Sequence, residues 1–290
     1  MFGKVVNIPF LSYKTHAIIF GDITKKMPIV VLHGGPGGCV ERYEALTLLQ
    51  DDIPLVFYDQ LGSGYSKVPK GHFELMNFET FEDELDNLLK YLKIEKCVLL
   101  GHSWGGMLAL HYMSHRNTSK IAKLILFSTL PSTKRWNDDH LELIKDYPDD
   151  LKNALIAQKN KEAFDIKNYK VAIKKFYNDH VGKKSDKKYI CKRKKFPKLN
   201  TEIYRYMWGD SELFGTGTLI DYNEENNLKN ILIPTLIISG KYDESSVSSN
   251  RFMNKEIKNS EWVLLNNSHH CGYTEEPEIA ISAIKQFYFK

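Results

Sequence analysis

No stretch of this sequence approaches the roughly 18 consecutive apolar residues that a membrane-spanning helix requires, so no membrane partner is expected. The first residues, Met1 to Phe20, lack the basic and then continuously apolar plan of a secretory signal, and a cytoplasmic location is expected. Cysteine is scarce. The four present, Cys39, Cys97, Cys191 and Cys271, lie far apart with no CxxC pair, which argues against a disulfide framework or a thiolate metal centre and for reduced thiols. An excess of one charge is also missing, since the net charge is only +4 over 290 residues. One segment accounts for it: from Lys183 to Lys198 nine Lys or Arg face the single Asp186, a local +8, and four minus eight leaves −4 on the remainder. No nucleic-acid motif and no amphipathic apolar face accompany that segment, so it reads as solvated surface and no nucleic-acid partner is expected. No internal repeat is evident, and nothing in the sequence fixes an oligomeric state.

What is present is globular: 42% of residues are hydrophobic and 26% charged, enough to bury one large core. Short apolar runs recur at His16 to Phe20, Ile29 to Leu32, Leu55 to Tyr58, Cys97 to Leu100, Leu124 to Phe127, Thr235 to Ser239 and Trp262 to Leu265, each ended by glycine, proline or a polar turn. These predict buried strands. Between them lie helical patterns, clearest where Phe78, Phe81, Leu85, Leu88, Leu89 and Leu92 recur at three and four, and again at Ile279, Ala283, Ile284 and Phe287. Strands alternating with helices predict an α/β fold, a mostly parallel sheet covered by helices on both faces. The alternation stops near Leu130 and resumes near Ile231. Residues 1–130 and 231–290 are therefore expected to form the sheet core, and 131–230, polar, Lys-rich and aromatic, an inserted helical cap.

Gly101-His102-Ser103-Trp104-Gly105 follows one predicted strand and opens a helix, the context of a nucleophile elbow, in which a strained turn holds a serine hydroxyl out between glycines. A hydroxyl needs a base to take its proton and a carboxylate to orient that base. The chain order for such a site is serine, acid, histidine. Asp243, just past the strand Thr235 to Ser239, is the expected acid, with Glu244 as its possible substitute. His270, of the adjacent pair His269-His270 after the last strand, is the expected base; neighbouring side chains in an extended loop point apart, leaving His269 as a solvated or orienting residue. An oxyanion needs two amide donors. The amide of Trp104 at a helix start is one, and that of Gly35, in His33-Gly34-Gly35-Pro36-Gly37-Gly38, the other. That glycine run lacks the Lys and Ser/Thr of a phosphate-binding loop, and no cofactor is expected.

Together, His33-Gly-Gly-Pro-Gly37, Asp59-Gln60-Leu61-Gly62-Ser63-Gly64, Gly101-His-Ser-Trp-Gly-Gly106 and the late Asn267-Ser-His-His270 with Glu275 resemble the proline iminopeptidase family of α/β-hydrolases. The resemblance implies a serine aminopeptidase that removes one N-terminal residue, often proline, from short peptides or amino-acid amides through an acyl-enzyme. It also implies a carboxylate cluster for the substrate's free amine, and Glu212 and Glu244, with Tyr204 assisting, fall where that cluster would be. Leu61 and Tyr65 stand where some relatives carry Arg, which leaves the first-residue preference open between proline and a wider set. The elbow alone equally admits an esterase or amidase of broader specificity with no free-amine requirement. A binding protein on the same fold would have lost a triad residue or an oxyanion glycine, and none is lost. His111 and His115, four apart on one helix, have metal-binding spacing, but HExxH is absent and no third ligand is apparent, so no metal is expected. Trp136, Tyr204, Tyr206, Trp208 and Phe214 either line an apolar pocket or form the cap's own core.

Overall fold

The computed structural model describes residues 3–189 and 196–290. Eight strands form one sheet: β1 Lys4–Phe10, β2 Tyr13–Phe20, β3 Ile29–Leu32, β4 Leu55–Asp59, β5 Cys97–His102, β6 Ile121–Phe127, β7 Thr235–Gly240 and β8 Ser260–Leu265. Their spatial order is β1-β2-β4-β3-β5-β6-β7-β8. The β1–β2 and β2–β4 pairs are antiparallel and every other pair is parallel. The α/β class and the seven apolar runs expected as strands are found. The additional strand is β1. Half exposed and interrupted by Pro9, it lies at the sheet edge, where pairing on one side suffices and no continuous apolar run is required.

Because side chains alternate across a strand, each central strand feeds two cores. Val30, Leu32, Val56, Tyr58, Cys97 and Leu99 pack on one face against helices α1 (Phe78–Tyr91) and α2 (Trp104–His115). Ile29, Val31, Leu55, Phe57, Val98 and Leu100 pack on the other against helix α9 (Pro277–Phe289) and the turn Val40–Leu49. Burial on both faces is why these strands read as unbroken apolar runs. Helix α1 starts where Asn77 Oδ1 accepts the Thr80 amide at 2.9 Å, and it buries Phe81, Leu85, Leu88 and Leu89.

Between β6 and β7 the described residues contribute helices α3 (Thr133–Leu143), α4 (Asp149–Lys159), α5 (Ile166–Phe176) and α6 (Thr201–Met207), and no strand of the sheet. This segment leaves and rejoins the sheet at one place: the Thr133 amide donates to Tyr222 O at 3.0 Å and the Glu224 amide to Pro131 O at 2.8 Å. It has a small core of its own around Ile144, Leu155, Phe176 and Phe214, while Trp136, Tyr204, Met207 and Trp208 join the core above the sheet. The Lys-rich stretch lies only in part within the described residues, since 190–195, Cys191 included, fall outside them. The chain ends with α7 (Val247–Glu256), α8 (Gly272–Glu275) and α9.

A buried carboxyl ties α1 to the sheet. Glu84 accepts the Thr15 hydroxyl at 2.5 Å and the Leu61 amide at 2.8 Å. Burial pushes its pKa up to about 8, with these two hydrogen bonds opposing. The folded state therefore holds this proton more tightly than the unfolded chain, so the group's contribution to stability is full below its ordinary range and is lost as pH rises through about 8. Glu84→Gln is expected to flatten the fall in urea midpoint between about pH 5 and pH 9. An equally steep fall in the variant would show that the dependence arises elsewhere.

Candidate active site

All the candidate residues from the sheet domain sit beyond the carboxyl ends of parallel strands. Strand β3 lies between β4 and β5, so successive connections leave it toward opposite sides, and a crevice opens where the order reverses. The glycine loop follows β3, Ser103 follows β5, Asp243 follows β7 and His270 follows β8.

Ser103 sits in the turn between β5 and α2 at φ 54° and ψ −123°, a strained conformation for a non-glycine residue. Its surroundings admit no bulk. A Cβ on Gly105 would come within 2.1 Å of Leu32 O, and one on Gly101 within 2.3 Å of Gly105 O. A Cβ on Gly34 would come within 2.9 Å of Ser103 Cβ, so the glycine loop and the elbow meet closely. Helix α2 begins at Trp104, whose amide belongs to a first turn with no helical carbonyl upstream. Gly35 takes φ +55° beside Leu199 and Tyr204.

His270 Nδ1 lies 2.8 Å from Asp243 Oδ1, and both side chains are buried. Asp243 Oδ1 also accepts the Ser245 amide at 2.8 Å. Burial would raise the Asp243 pKa, but the His270 charge and hydrogen bond, with the Ser245 amide, outweigh it and hold the carboxyl below its ordinary range. The acceptor carboxylate fixes the proton on Nδ1 and leaves Nε2 as the basic atom. Nε2 lies 3.5 Å from Glu244 Oε1. Burial alone would lower the His270 pKa, yet the Glu244 and Asp243 charges reverse that and raise it well above its ordinary value. His269 points elsewhere: its amide donates to Glu275 Oε2 at 2.6 Å, and its ring faces Tyr242 and Asp186.

A narrow cavity beside Ser103 is bounded by Trp104, Met107, Trp136, Trp208, Tyr204 and Glu212. Trp136 Nε1 and Trp208 Nε1 both donate to Glu212 O, at 3.2 and 3.3 Å, and so anchor the backbone of that glutamate at the cavity wall. Tyr206 instead stacks on Phe73, and Phe214 lies in the small helical core. Glu244 is fully buried and neither carboxylate oxygen has a hydrogen-bond partner; the Tyr204 hydroxyl is likewise unpartnered. Burial, with the neighbouring Glu212 and Asp243 charges, opposes ionisation of Glu244, and the His270 charge is what favours it. Tyr204 is raised by burial and then by Glu212. His140 of α3 spans the two carboxylate segments, with Nδ1 2.5 Å from Leu213 O and Nε2 2.9 Å from Glu244 O.

Several supporting residues have roles that no sequence pattern assigned. His102 Nε2 lies 3.0 Å from His270 O, and its Nδ1 lies 2.8 Å from Tyr43 Oη. Burial, and then His270, lowers the His102 pKa to about 3, so its ring carries a single proton. A carbonyl can only accept, so that proton sits on Nε2, Tyr43 donates to Nδ1, and the Tyr43 oxygen accepts the Gly34 amide at 2.6 Å. One chain of hydrogen bonds thus joins the glycine loop to the backbone of His270. Gln60 forms a second: its amide donates to His33 Nε2 at 3.0 Å, its Nε2 to His33 O at 3.1 Å, and its Oε1 accepts Trp104 Nε1 at 2.7 Å. Tyr177, whose phenol pKa burial raises and the Glu212 and Glu244 charges raise further, is another residue the sequence did not single out.

A family model described as alpha/beta hydrolase fold matches residues 27–277. The chain is 36% identical over 290 residues to the proline iminopeptidase of Lactobacillus acidophilus, covering 97% of this chain and 96% of that protein. It is 34% identical over 287 residues to the proline iminopeptidase of Clostridium botulinum, with the same coverage of 97% and 96%. Among solved structures, VinJ superposes with a TM-score of 0.83 at 29% identity over 98% of each chain. The proline iminopeptidase of Mycobacterium smegmatis reaches a TM-score of 0.83 at 23% identity, over 99% of this chain and 98% of that one, a likeness of fold.

Replacing Tyr43 by Phe removes the acceptor of the Gly34 amide and the donor to His102, leaving two buried polar groups unpaired. The expected cost is about 1–3 kcal/mol in the urea unfolding free energy. A loss much smaller than this would mean that the chain does not hold the glycine loop.

Proposed function

Because the chain belongs to the proline iminopeptidase family of α/β-hydrolases, we propose that it releases the N-terminal residue of short peptides or amino-acid amides through an acyl-enzyme, with Ser103 as nucleophile and His270 as base. His270 Nε2 takes the Ser103 proton as the oxygen attacks the carbonyl of the first residue. Asp243 holds the imidazole by its Nδ1 proton and stabilises the positive charge it acquires. The amides of Gly35 and Trp104 receive the developing oxyanion, where loss of one such donor typically costs about 3 kcal/mol. The His270 imidazolium then returns its proton to the leaving amine, and water, activated by the same base, releases the amino acid. Residues 131–230 act as a cap that closes the amine end of the site, and the cavity walled by Trp136 and Trp208 takes a small apolar first residue such as proline. The substrate is a small peptide in solution, and the location is cytoplasmic.

The single observation that carries this reading is Glu244, a buried carboxyl with both oxygens unpartnered, 3.5 Å from the base. A buried carboxylate is costly unless paired. A substrate ammonium between Glu244, Glu212 and the Tyr204 hydroxyl supplies the missing cation and donors. It also takes over from the imidazolium as counter-charge to Glu244, which lowers the His270 pKa toward the neutral form that catalysis needs. A broader esterase would gain nothing from an unpaired carboxyl at this place.

Ser103→Ala should abolish turnover of aminoacyl amides and fluorogenic aminoacyl substrates while leaving their binding intact; activity equal to the wild type would eliminate the scheme. N-acetylation of the same substrates should remove turnover, whereas equal rates for blocked and free compounds would favour the esterase alternative. Glu244→Gln takes away the charge that raises the His270 pKa. The acid limb of kcat/KM should therefore move to lower pH, with KM for free-amine substrates rising about ten- to a hundredfold. An unmoved limb with unchanged KM would remove Glu244 from both roles.

A further inference from the structure

Helix α2 runs away from the elbow, and its far end carries His111 and His115, four residues apart and thus on one face. The sequence offers them no third ligand, but the fold does. Glu224, at the point where the inserted helices return to the sheet, places Oε1 3.0 Å from His115 Nε2 and 4.0 Å from His111 Nε2. One donor atom from each of the three residues lies within 4.8 Å of the others. The ordinary reading is two hydrogen-bonded pairs, and the surroundings argue beyond it. His111 Nδ1 lies 2.6 Å from Glu82 Oε1, and Glu82 is in turn held by Arg116 Nε at 2.8 Å. Since a carboxylate only accepts, Glu82 holds a proton on Nδ1 and leaves Nε2, 4.0 Å from the Glu224 oxygen, as the ring atom that can turn a lone pair to a metal ion. The ring is fixed further by stacking on Phe78, with centroids 4.0 Å apart and planes 4° from parallel. The other Glu224 oxygen accepts Asn227 Nδ2 at 2.6 Å, so each of these two ligands has its own orienting partner.

We propose that His111, His115 and Glu224 bind a divalent transition-metal ion of the zinc class. Two imidazole nitrogens and one carboxylate oxygen suit zinc, whereas magnesium and calcium prefer oxygen alone. Bonds of about 2.0–2.2 Å in a tetrahedron hold ligand atoms about 3.3 Å apart, and the observed 3.0 and 4.0 Å bracket that spacing. A fourth position opens on a surface pocket of about 500 Å³ bordered by Phe73, Tyr206 and Asp221, with room for water. On binding, the His115 ring proton moves from Nε2 to Nδ1, and the Nε2 lone pair goes to the metal. His111 is eight residues beyond Ser103, about 12 Å along the helix, so the ion touches no reacting atom. It pins the returning end of residues 131–230 to the helix that presents the Trp104 amide.

Chelator-stripped full-length protein should take up one Zn²⁺ per chain by isothermal titration calorimetry, with Kd in the range of about 1 µM or below, and its melting temperature should rise with added zinc. Co²⁺ in place of Zn²⁺ should give the visible absorption of a tetrahedral nitrogen and oxygen site. His115→Ala, at a half-exposed position, and Glu224→Gln should each weaken zinc binding by about tenfold or more. In metal-free solution the His115→Ala enzyme should hydrolyse aminoacyl substrates at the wild-type rate. The assignment is overturned if wild-type protein binds no stoichiometric zinc at up to about 100 µM, or if His115→Ala binds as tightly as wild type with an unaltered Co²⁺ spectrum.

Discussion

The site rests on a contact between two backbones. The loop after β3 and the turn after β5 lie against each other so closely that side chains at Gly34, Gly101 or Gly105 would occupy space already taken by main-chain atoms or by Ser103 itself. The contact is possible because β3 and β5 are paired neighbours, in register from Ile29 with Val98 to Leu32 with Gly101. It forces Ser103 into a conformation that costs about 1–3 kcal/mol in a non-glycine residue. The burial of both faces of the sheet offsets that strain, which is why a reactive turn can stand on a rigid core rather than in a mobile loop. Under the proposed function, the amides of Gly35 and Trp104 then face one oxygen without moving during the reaction.

Polar residues behind the contact lock it from both sides. Tyr43 and His102 link Gly34 to the backbone of His270, while Gln60 links the His33 carbonyl to the Trp104 indole. Asp59, the neighbour of Gln60, accepts the Val40 and Tyr65 amides at 2.9 Å each and orders the loops on either flank. Behind His270, Glu276 accepts the Asn267 amide and the Ser268 hydroxyl, and Glu275 accepts the His269 amide. Apart from Glu275 Oε1 and His269 Nδ1, the buried side-chain polar atoms of these chains have hydrogen-bond partners, and a largely satisfied network of this kind favours one geometry over several.

This arrangement explains what could be read from the sequence. The strands were legible because burial on both faces makes them continuous apolar runs, and β1 was not, because an edge strand with one buried partner needs no such run. The order of serine, carboxylate and histidine was legible from where each follows a strand, and the 2.8 Å approach of Asp243 to His270 fits that order. Glu212, Glu244 and Tyr204 entered through family resemblance, since a glutamate in a polar segment has no local mark of burial. The roles of His102, Tyr43 and Gln60 were not legible for another reason. His102 occupies the variable position of its motif, and its role comes from partners 59 and 168 residues away. Glu224 is a similar case, 109 residues from His115 and brought to it only where the insertion closes.

The electrostatics of the base follow from the same economy of space. Under the proposed reading, the free enzyme holds two buried carboxyls, Asp243 and Glu244, around one imidazole, and their charge raises its pKa beyond what a base at neutral pH can use. Asp243 has hydrogen bonds enough to remain ionised beside a neutral ring, but Glu244 has none, and its charge is stable only against a cation. That cation is the imidazolium until a substrate ammonium arrives. A free N-terminus thus does two things at once: it supplies binding energy, and it releases the base by replacing it as counter-ion. A blocked terminus fails on both counts, leaving a desolvated carboxyl unpaired or a base still protonated. Selection for the amine is in this way tied to the protonation state that the chemical step requires, and requires no separate gate.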